Sequence, residues 1–263
     1  MSKIYIKSCL DGMSDLDTNS IDLIFTSPPY WDLIDYKTSN QLGLGLTFET
    51  YLAFMDKFLL SSARVLKFDS FLVLNIADIR KNISKSLNDR PKLYSVQSYI
   101  ISKLESLGLD LHAHIIWKKK SVKASGKKII YGSTDKEFIY PPFAYNDLDI
   151  EHILVFRKPG GKRKLPQLAS RTDKIPKENL TDEYSSLWEF NEISNHKNHP
   201  ATFPLALAER VIKLYSITND VVLDPFIGTG TTALACINLN RHFIGYELNK
   251  DYLHSSLINY IEV

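Results

Sequence analysis

The loop Asp224–Thr232, with the sequence Asp-Pro-Phe-Ile-Gly-Thr-Gly-Thr-Thr, constrains the fold of this chain more than any other segment. It joins a short apolar run to a helical pattern, and in open α/β sheets the backbone approaches a ligand closely at this position. Gly228 and Gly230 remove side chains that would obstruct that approach. A nucleoside triphosphate site would need a lysine after the last glycine, whereas Thr231 and Thr232 stand there. The loop therefore predicts a cofactor site of another kind.

The apolar run after this loop, His242–Tyr246, predicts a strand that leads into Glu247. A carboxylate at that position is placed to accept hydrogen bonds from both ribose hydroxyls of a nucleoside cofactor. The glycines alone would also suit a tight turn without a ligand, and Asp224 alone would suit a turn cap. The order of strand, loop, helix, strand and acid favours an adenosyl ligand.

Strand and helix patterns alternate along most of the chain, which predicts an α/β fold with a mostly parallel sheet. The predicted strands are Lys3–Ile6, Ile21–Phe25, Phe71–Ile76, His112–Trp117, Val221–Leu223 and His242–Tyr246. The predicted helices are Phe48–Leu66, Tyr94–Leu107, Pro204–Tyr215 and Thr231–Leu239. Between residues 118 and 198 loops, lysines and prolines dominate, with one strand at His152–Phe156. We therefore predict a catalytic and cofactor-binding domain from residues 1–117 and 199–263, and a small inserted lobe from residues 118–198.

The composition indicates an ordinary globular protein and says little about chemistry. Hydrophobic residues make up 44% and charged residues 24%, and the net charge of +2 is too small to indicate nucleic-acid binding by itself. Cys9 and Cys236 are too few for a disulfide framework, and the histidines lack ligand spacing, so we predict no disulfide and no metal. Met1–Leu10 lacks the apolar run of a signal peptide, which favours a cytoplasmic protein.

The segment Thr26–Trp31, with the sequence Thr-Ser-Pro-Pro-Tyr-Trp, follows a predicted strand at the edge where such sheets place their ligands. Two prolines stiffen the backbone and lack N–H donors, so the loop offers carbonyl acceptors beside the hydroxyl of Ser27. Acceptors suit an amino-group substrate, and Tyr30 is able to stack on an extruded base. A proline-terminated strand before an aromatic core residue is the structural alternative.

These two motifs resemble those of the amino-methylating DNA methyltransferases. The Thr26–Trp31 segment is similar to their catalytic motif, Asp224–Thr232 is similar to their cofactor motif, and His199–Pro204 resembles the motif that encloses the methionine end of the cofactor. This order, with a variable segment in the middle, is the permuted arrangement called the beta class. The resemblance implies a doubly wound, Rossmann-like methyltransferase sheet with a circularly permuted motif order and a small inserted recognition lobe. It also implies methyl transfer from S-adenosylmethionine.

The resemblance implies roles for individual residues as well. Catalytic roles fall on Ser27, Pro28, Pro29 and Tyr30. Cofactor-binding roles fall on Ser8, Thr26, Pro200, Thr202, Phe203, Asp224, Pro225, Phe226, Gly228, Gly230, Thr231, Glu247 and Asn249. Ser8 is a departure, since the family often has an aspartate there that contacts the cofactor adenine, and a weaker contact or another donor is implied.

The target base follows from the first residue of the catalytic tetrapeptide. Members that act on N4 of cytosine usually have Ser-Pro-Pro-Tyr, whereas many that act on N6 of adenine have Asp-Pro-Pro-Tyr, so Ser27 favours cytosine. The alternatives are an N6-adenine enzyme, an RNA amino-methyltransferase, and a catalytically silent nucleic-acid-binding module. Methylation of cytosine C5 is disfavoured because it requires a nucleophilic cysteine, and neither Cys9 nor Cys236 has such a setting.

Two lysine- and arginine-rich clusters in the predicted lobe are candidates for duplex DNA binding, since phosphates attract such residues. The candidate residues are Lys118, Lys119, Lys120, Lys123, Lys127, Lys128, Lys162, Arg163 and Lys164. A solvated basic surface is the alternative interpretation. The resemblance to restriction-modification enzymes also implies a cognate restriction endonuclease as a possible partner.

Overall fold

The structure, a computed structural model, describes residues 2–33, 35, 41–81, 91–119, 146, 148–163, 173–190 and 203–262. Within these ranges the strands are β1 (Lys3–Ile6), β2 (Ile21–Thr26), β3 (Leu66–Ile76), β4 (Ile79–Lys81), β5 (Lys92–Tyr94), β6 (Asp110–Lys119), β7 (Ile150–Arg157), β8 (Leu187–Phe190), β9 (Val221–Asp224), β10 (His242–Glu247) and β11 (Ile261–Glu262). The α-helices are α1 (Cys9–Ser14), α2 (Phe48–Val65), α3 (Val96–Ser106), α4 (Leu180–Glu183), α5 (Leu205–Tyr215) and α6 (Thr231–Asn238). Short 3₁₀ helices lie at Trp31–Leu33, Lys177–Asn179, Lys250–Tyr252 and Ser255–Tyr260.

The described residues form a nine-stranded sheet with the strand order β11-β1-β10-β9-β2-β3-β7-β6-β8, beside a small antiparallel pair of β4 and β5. All neighbouring strands of the large sheet are parallel except at β7, which is antiparallel to both β3 and β6. All six residues of β2 are buried, as expected for a central strand that is covered on both faces.

Helices cover the two faces of this sheet, and each face has its own core. On one face α2 contributes Met55 and Phe58, and α3 contributes Ile100. On the other face α5 contributes Val211 and α6 contributes Cys236. The predicted doubly wound, mostly parallel α/β fold is therefore confirmed.

The predicted strands and helices are all present, and their ends differ by a few residues. The largest difference is β3, which begins at Leu66 rather than at Phe71. Helix α2 ends at Val65 because Leu66 adopts an extended backbone, with φ −65° and ψ 132°. The apolar pattern at Leu66 therefore belongs to the strand and not to the helix.

The predicted boundaries of the inserted lobe need correction. Strand β7 pairs with both β3 and β6, and β8 pairs with β6, so both lie in the central sheet although they fall within residues 118–198. The physical reason is the burial of Glu151–Phe156, six consecutive residues that need cover on both faces. Residues 120–145, 147, 164–172 and 191–198 of the predicted lobe lie outside the described residues.

None of the helices in the described part of the chain combines the length and the apolar character that a membrane span requires.

Candidate active site

A cavity of about 900 Å³, open solvent included, lies at the carboxyl ends of the parallel strands β1, β10, β9 and β2. This is the point at which the strand connections diverge to the two sides of the sheet, where open α/β sheets bind their ligands. The predicted site residues that line it are Ser8, Ser27, Pro28, Pro29, Tyr30, Phe203, Pro225, Phe226, Gly228, Thr231 and Glu247. The tertiary fold thus brings together the two loops that the sequence places near opposite ends of the chain.

The carboxylate of Asp224 connects these two loops inside the protein and does not line the cavity. It accepts 2.5 Å hydrogen bonds from the hydroxyls of Thr26 and Thr232 and a 3.1 Å bond from the backbone N–H of Phe226. The side chain is only 2% exposed, and burial raises the pKa of Asp224 to about 6 against these three donors. The side chains of Thr26 and Asp224 are thus engaged in holding the loops together, and the cofactor contacts predicted for these two residues stay predictions.

Glu247 presents a half-buried carboxylate to the cavity. Its Oε2 accepts a 3.0 Å hydrogen bond from the N–H of Gly228, and its Oε1 accepts 2.9 Å bonds from the N–H groups of Leu248 and Asn249. Burial is the main influence on the pKa of Glu247 and raises it above its usual value, while the three donors oppose that shift. Since a carboxylate has roughly four acceptor positions, about one remains for a ligand hydroxyl. The bonding of Glu247 to both ribose hydroxyls stays a prediction, with roughly one acceptor position of the carboxylate open in this structure.

Gly230 shapes the cofactor loop without lining the cavity. It adopts φ +90° at the amino end of α6, a left-handed conformation that favours glycine, and its N–H donates to the carbonyl of Ile227. A Cβ atom at this position would lie 2.0 Å from Cδ1 of Leu257. Asn249, also predicted to bind the cofactor, instead supports Glu247 and caps the following 3₁₀ helix with its side chain.

The Thr26–Trp31 segment, which is predicted to be catalytic, is held by a network of polar groups behind it. The Tyr30 hydroxyl lies 2.9 Å from Ser27 Oγ and donates a 2.9 Å hydrogen bond to Glu151 Oε2 of β7. Asn75 Nδ2 of β3 lies 3.2 Å from the Tyr30 hydroxyl and 2.6 Å from Glu151 Oε2, and Lys119 Nζ of β6 lies 2.8 Å from Glu151 Oε1. Tyr30 is 8% exposed, so the cavity meets only a small part of it.

The carbonyl of Pro29 was one of the acceptors that the sequence offered to a substrate. In the structure it accepts hydrogen bonds from the hydroxyl of Tyr51, at 3.0 Å, and from the N–H of Trp31, at 3.1 Å. These bonds hold the turn in place. Ser27 is therefore the better placed acceptor for a ligand in the cavity.

The cavity wall also contains residues that were not among the predicted site residues: Lys7, Cys9, Gln41, Leu42, Ile227, Thr229, Tyr246 and Leu248. The amide nitrogen and oxygen of Gln41 are buried, and they have no hydrogen-bond partner among the described residues. Such unpaired groups are costly unless a polar ligand satisfies them. Gln41 carries no local sequence signal, because an isolated glutamine in a loop fits no pattern of spacing.

Cys9 lies on the cavity wall but is unsuited to nucleophilic attack. Burial raises the pKa of its thiol to about 12, so the thiolate is scarce near neutral pH. Cys236 is buried in the core and is likewise free. This agrees with the expectation that neither cysteine performs covalent chemistry.

The described residues of the two basic clusters lie at opposite edges of the sheet. Lys118 and Lys119 end β6 on the cavity side, where Lys118 is exposed and Lys119 is paired with Glu151. Lys162 and Arg163 follow β7, which runs antiparallel, and so lie at the edge away from the cavity. The Arg163 guanidinium there is paired with Asp220, which precedes β9. The prediction that Lys162 and Arg163 contact the same DNA as the cavity therefore needs correction.

Seven of the predicted site residues lie outside the described residues. They are Pro200 and Thr202, predicted to bind the cofactor, and Lys120, Lys123, Lys127, Lys128 and Lys164, predicted to bind DNA. Among the described residues no group of three or more histidine, cysteine, aspartate or glutamate side chains is arranged to hold a metal ion.

Comparison with known proteins gives consistent matches over nearly the whole chain. Residues 21–258 match the family described as DNA methylase. The Type II methyltransferase M.MjaI of Methanocaldococcus jannaschii is 31% identical, and the match covers 90% of this chain and 84% of that protein.

Solved structures match as well. The structure of a putative DNA modification methylase from Thermus thermophilus complexed with S-adenosyl-L-methionine is 29% identical, with a TM-score of 0.74, over 96% of this chain and 90% of that one. PvuII DNA methyltransferase (cytosine-N4-specific) is 21% identical with a TM-score of 0.67, over 96% of this chain and 84% of that one, and it shares the fold.

Proposed function

This chain belongs to the DNA methylase family, and from that membership we propose that it transfers a methyl group from S-adenosylmethionine to N4 of cytosine in duplex DNA. The coarser activity, S-adenosylmethionine-dependent methylation of an amino group in DNA, follows from the family and from the relatives. The observation that supports N4 of cytosine as the target is the position of Ser27 on the cavity wall, beside the cofactor loop.

The cavity fits the adenosyl cofactor in chemistry. Its wall is mostly apolar with a few polar groups, as in most small-molecule sites. Glu247 offers an acceptor for a ribose hydroxyl, Gly228 leaves space for close approach, and the unpaired amide of Gln41 is available to a polar group. Pro225, Phe226 and Phe203 supply apolar wall. When bound, S-adenosylmethionine supplies a methyl group on a positively charged sulfur, which leaves as the neutral thioether.

Ser27 would orient the base for direct transfer. Its hydroxyl oxygen is an acceptor for one hydrogen of the exocyclic amino group, and that bond would aim the nitrogen at the methyl carbon. As the new N–C bond forms and the C–S bond breaks, the nitrogen releases one proton to solvent. The residues required are then positioning residues and acceptors, and no covalent bond to the enzyme forms.

The base would have to leave the duplex to reach this position. Ser27 and Tyr30 lie on the wall of a cavity at the edge of the sheet, beside the loop that is proposed to hold the cofactor. Enzymes that modify a base at such depth extrude it into the active site. Lys118, exposed at the end of β6, is placed to meet a phosphate nearby, and the parts of residues 118–198 outside β7 and β8 are proposed to read the target sequence.

The test is methyl transfer from tritiated S-adenosylmethionine to DNA, followed by nucleoside analysis. N4-methylcytosine is the expected product. N6-methyladenine would overturn the choice of base and leave the coarser activity intact. Transfer to RNA in preference to duplex DNA would overturn the choice of nucleic acid.

A cognate restriction endonuclease completes the proposal as the partner against which the modification protects DNA. DNA carrying the modification should resist an endonuclease that cuts at the methylated site, whereas unmodified DNA should be cut. Equal cleavage of both would contradict this role.

A further inference from the structure

We propose that Glu151 and Lys119 fix the direction of hydrogen bonding in the catalytic loop, so that Ser27 only accepts a hydrogen bond from the target base. The consequence is selection for bases that carry an amino group over bases that carry a keto oxygen at the same position. This inference rests on the proposed function and adds a cause of substrate choice to it. Glu151 acts through Tyr30, so it is a positioning residue.

Lys119 is the first residue that sets the direction of hydrogen bonding. Its ammonium group has donors and no acceptor, and it lies 2.8 Å from Glu151 Oε1. Glu151 is 5% exposed, and an ion pair is the usual condition on which a carboxylate remains charged at such burial. The paired carboxylate is an acceptor only. The Tyr30 hydroxyl, 2.9 Å from Glu151 Oε2, must therefore donate its hydrogen to Glu151.

That bond uses the one hydrogen of Tyr30. Asn75 Nδ2, which lies 2.6 Å from Glu151 Oε2 and 3.2 Å from the Tyr30 hydroxyl, also faces both groups as a donor. The contact of 2.9 Å between Ser27 Oγ and the Tyr30 hydroxyl then has one possible direction, in which Ser27 donates. The hydrogen of Ser27 points away from the cavity.

Ser27 thus presents lone pairs alone to the cavity that it lines. An exocyclic amino group of cytosine or adenine is a donor and completes the arrangement. The keto oxygen of uracil or hypoxanthine is an acceptor, so it would face another acceptor without a hydrogen between them. A site built for a donor discriminates strongly against an analogue that lacks it.

The test is Glu151→Gln, which keeps the shape and changes the hydrogen-bonding pattern. Lys119 would attract the amide oxygen of the new glutamine, and the amide nitrogen would face Tyr30 as a donor. Tyr30 would then be free to donate to Ser27, and Ser27 would turn its hydrogen toward the base. We expect kcat to fall by on the order of 10–100-fold, while the Kd of S-adenosylmethionine stays within about twofold.

The preference of the enzyme for an amino base over a keto base is the second measurement. It would not change if Glu151 had only a structural role. The duplex carries the site mapped by sequencing methylated DNA, with either the target base or its keto counterpart, uracil for cytosine or hypoxanthine for adenine. The cost of opening each duplex cancels when the ratio of the two Kd values is compared between wild type and variant. We expect this ratio to fall about tenfold in Glu151→Gln, and to fall in Tyr30→Phe, where the acceptor for the Ser27 hydrogen is absent.

Glu105→Gln is the matched control, because Glu105 is an exposed residue of α3 and the same change there leaves the site intact. If a folded Glu151→Gln protein had an unchanged kcat or an unchanged ratio of Kd values for the two bases, the inference would be overturned. The proposed function would stand, since wild type would still methylate DNA. If Glu151→Gln does not fold, an unchanged ratio in Tyr30→Phe overturns it in the same way. Absence of transfer by wild type would overturn the proposed function and the inference together.

Discussion

The hydroxyl of Thr26 donates a 2.5 Å hydrogen bond to the carboxylate of Asp224, and so joins two residues that are 198 positions apart. They end the neighbouring parallel strands β2 and β9, which pair through Ile24 and Leu223. The Thr26–Trp31 and Asp224–Thr232 loops leave the sheet side by side as a result. The carboxylate of Asp224 also accepts a hydrogen bond from the hydroxyl of Thr232, and so it holds the first turn of α6 in place.

This arrangement predicts an effect of pH on stability that depends on Asp224. Burial raises its pKa in the folded protein to about 6, above the value of 3.8 expected when unfolded. Its contribution to the free energy of unfolding is therefore complete below pH 3.8 and is lost as the pH rises through about 6. The loss amounts to as much as about 3 kcal/mol. Urea unfolding of wild type and Asp224→Asn from about pH 4 to about pH 7.5 measures it.

The variant should lack this titration, so the stability of wild type relative to Asp224→Asn should decrease over that interval. A constant difference between the two proteins would show that Asp224 titrates alike in the folded and unfolded states. Loss of cofactor affinity in Asp224→Asn, with stability unchanged, would support the prediction that Asp224 contacts the cofactor.

Glu247→Gln should weaken S-adenosylmethionine binding by at least about tenfold. The glutamine would turn an amide nitrogen toward backbone donors at Gly228 or at Leu248 and Asn249, and the site would lose its charged acceptor. Calorimetric titration of the cofactor measures the change. Glu105→Gln should bind the cofactor as wild type does, and equal affinity in both variants would contradict the role of Glu247.

Gly230→Ala should lower both stability and cofactor affinity more than Gly108→Ala does. Both glycines have positive φ, +90° and +83°, so each substitution incurs the left-handed backbone cost of about 1–2 kcal/mol. Only at Gly230 does the new Cβ meet a neighbour, Leu257, whereas the space at Gly108 is open. Thermal unfolding and cofactor titration compare the pair. Equal losses would mean that the contact with Leu257 relaxes without cost.

Lys118→Ala should weaken DNA binding several-fold and reduce the slope of log K against log salt by about 1, as expected for the loss of one phosphate contact. Lys162→Ala is the matched control, because Lys162 is also exposed but lies at the opposite edge of the sheet. The DNA affinity of Lys162→Ala and its slope of log K against log salt should equal those of wild type. Equal effects of the two substitutions would reverse the assignment of the DNA-facing edge.

The sequence alone determined the order of strands and helices and the identity of the two site loops. Apolar spacing is a local property, so β2, α5 and α6 were predicted within a residue or two of their observed ends. The glycine loop and the Ser-Pro-Pro-Tyr segment were likewise recognisable because their chemistry is contained in a few consecutive residues. Parallel strands bring such loops to one edge, and this was sufficient to predict that they meet.

The direction of β7 and the contacts of the side chains around it became apparent only from the folded structure. A fully buried strand has the same apolar pattern in either direction, so its sequence did not reveal that Arg163 lies away from the cavity while Glu151 reaches Tyr30 from 121 positions away. The sequence likewise did not reveal that the side chain of Asp224 points inward, toward Thr26. Its partner Thr26 becomes a neighbour only when β2 and β9 pair, and the free energy of a buried polar group depends on such partners rather than on residues adjacent in the chain.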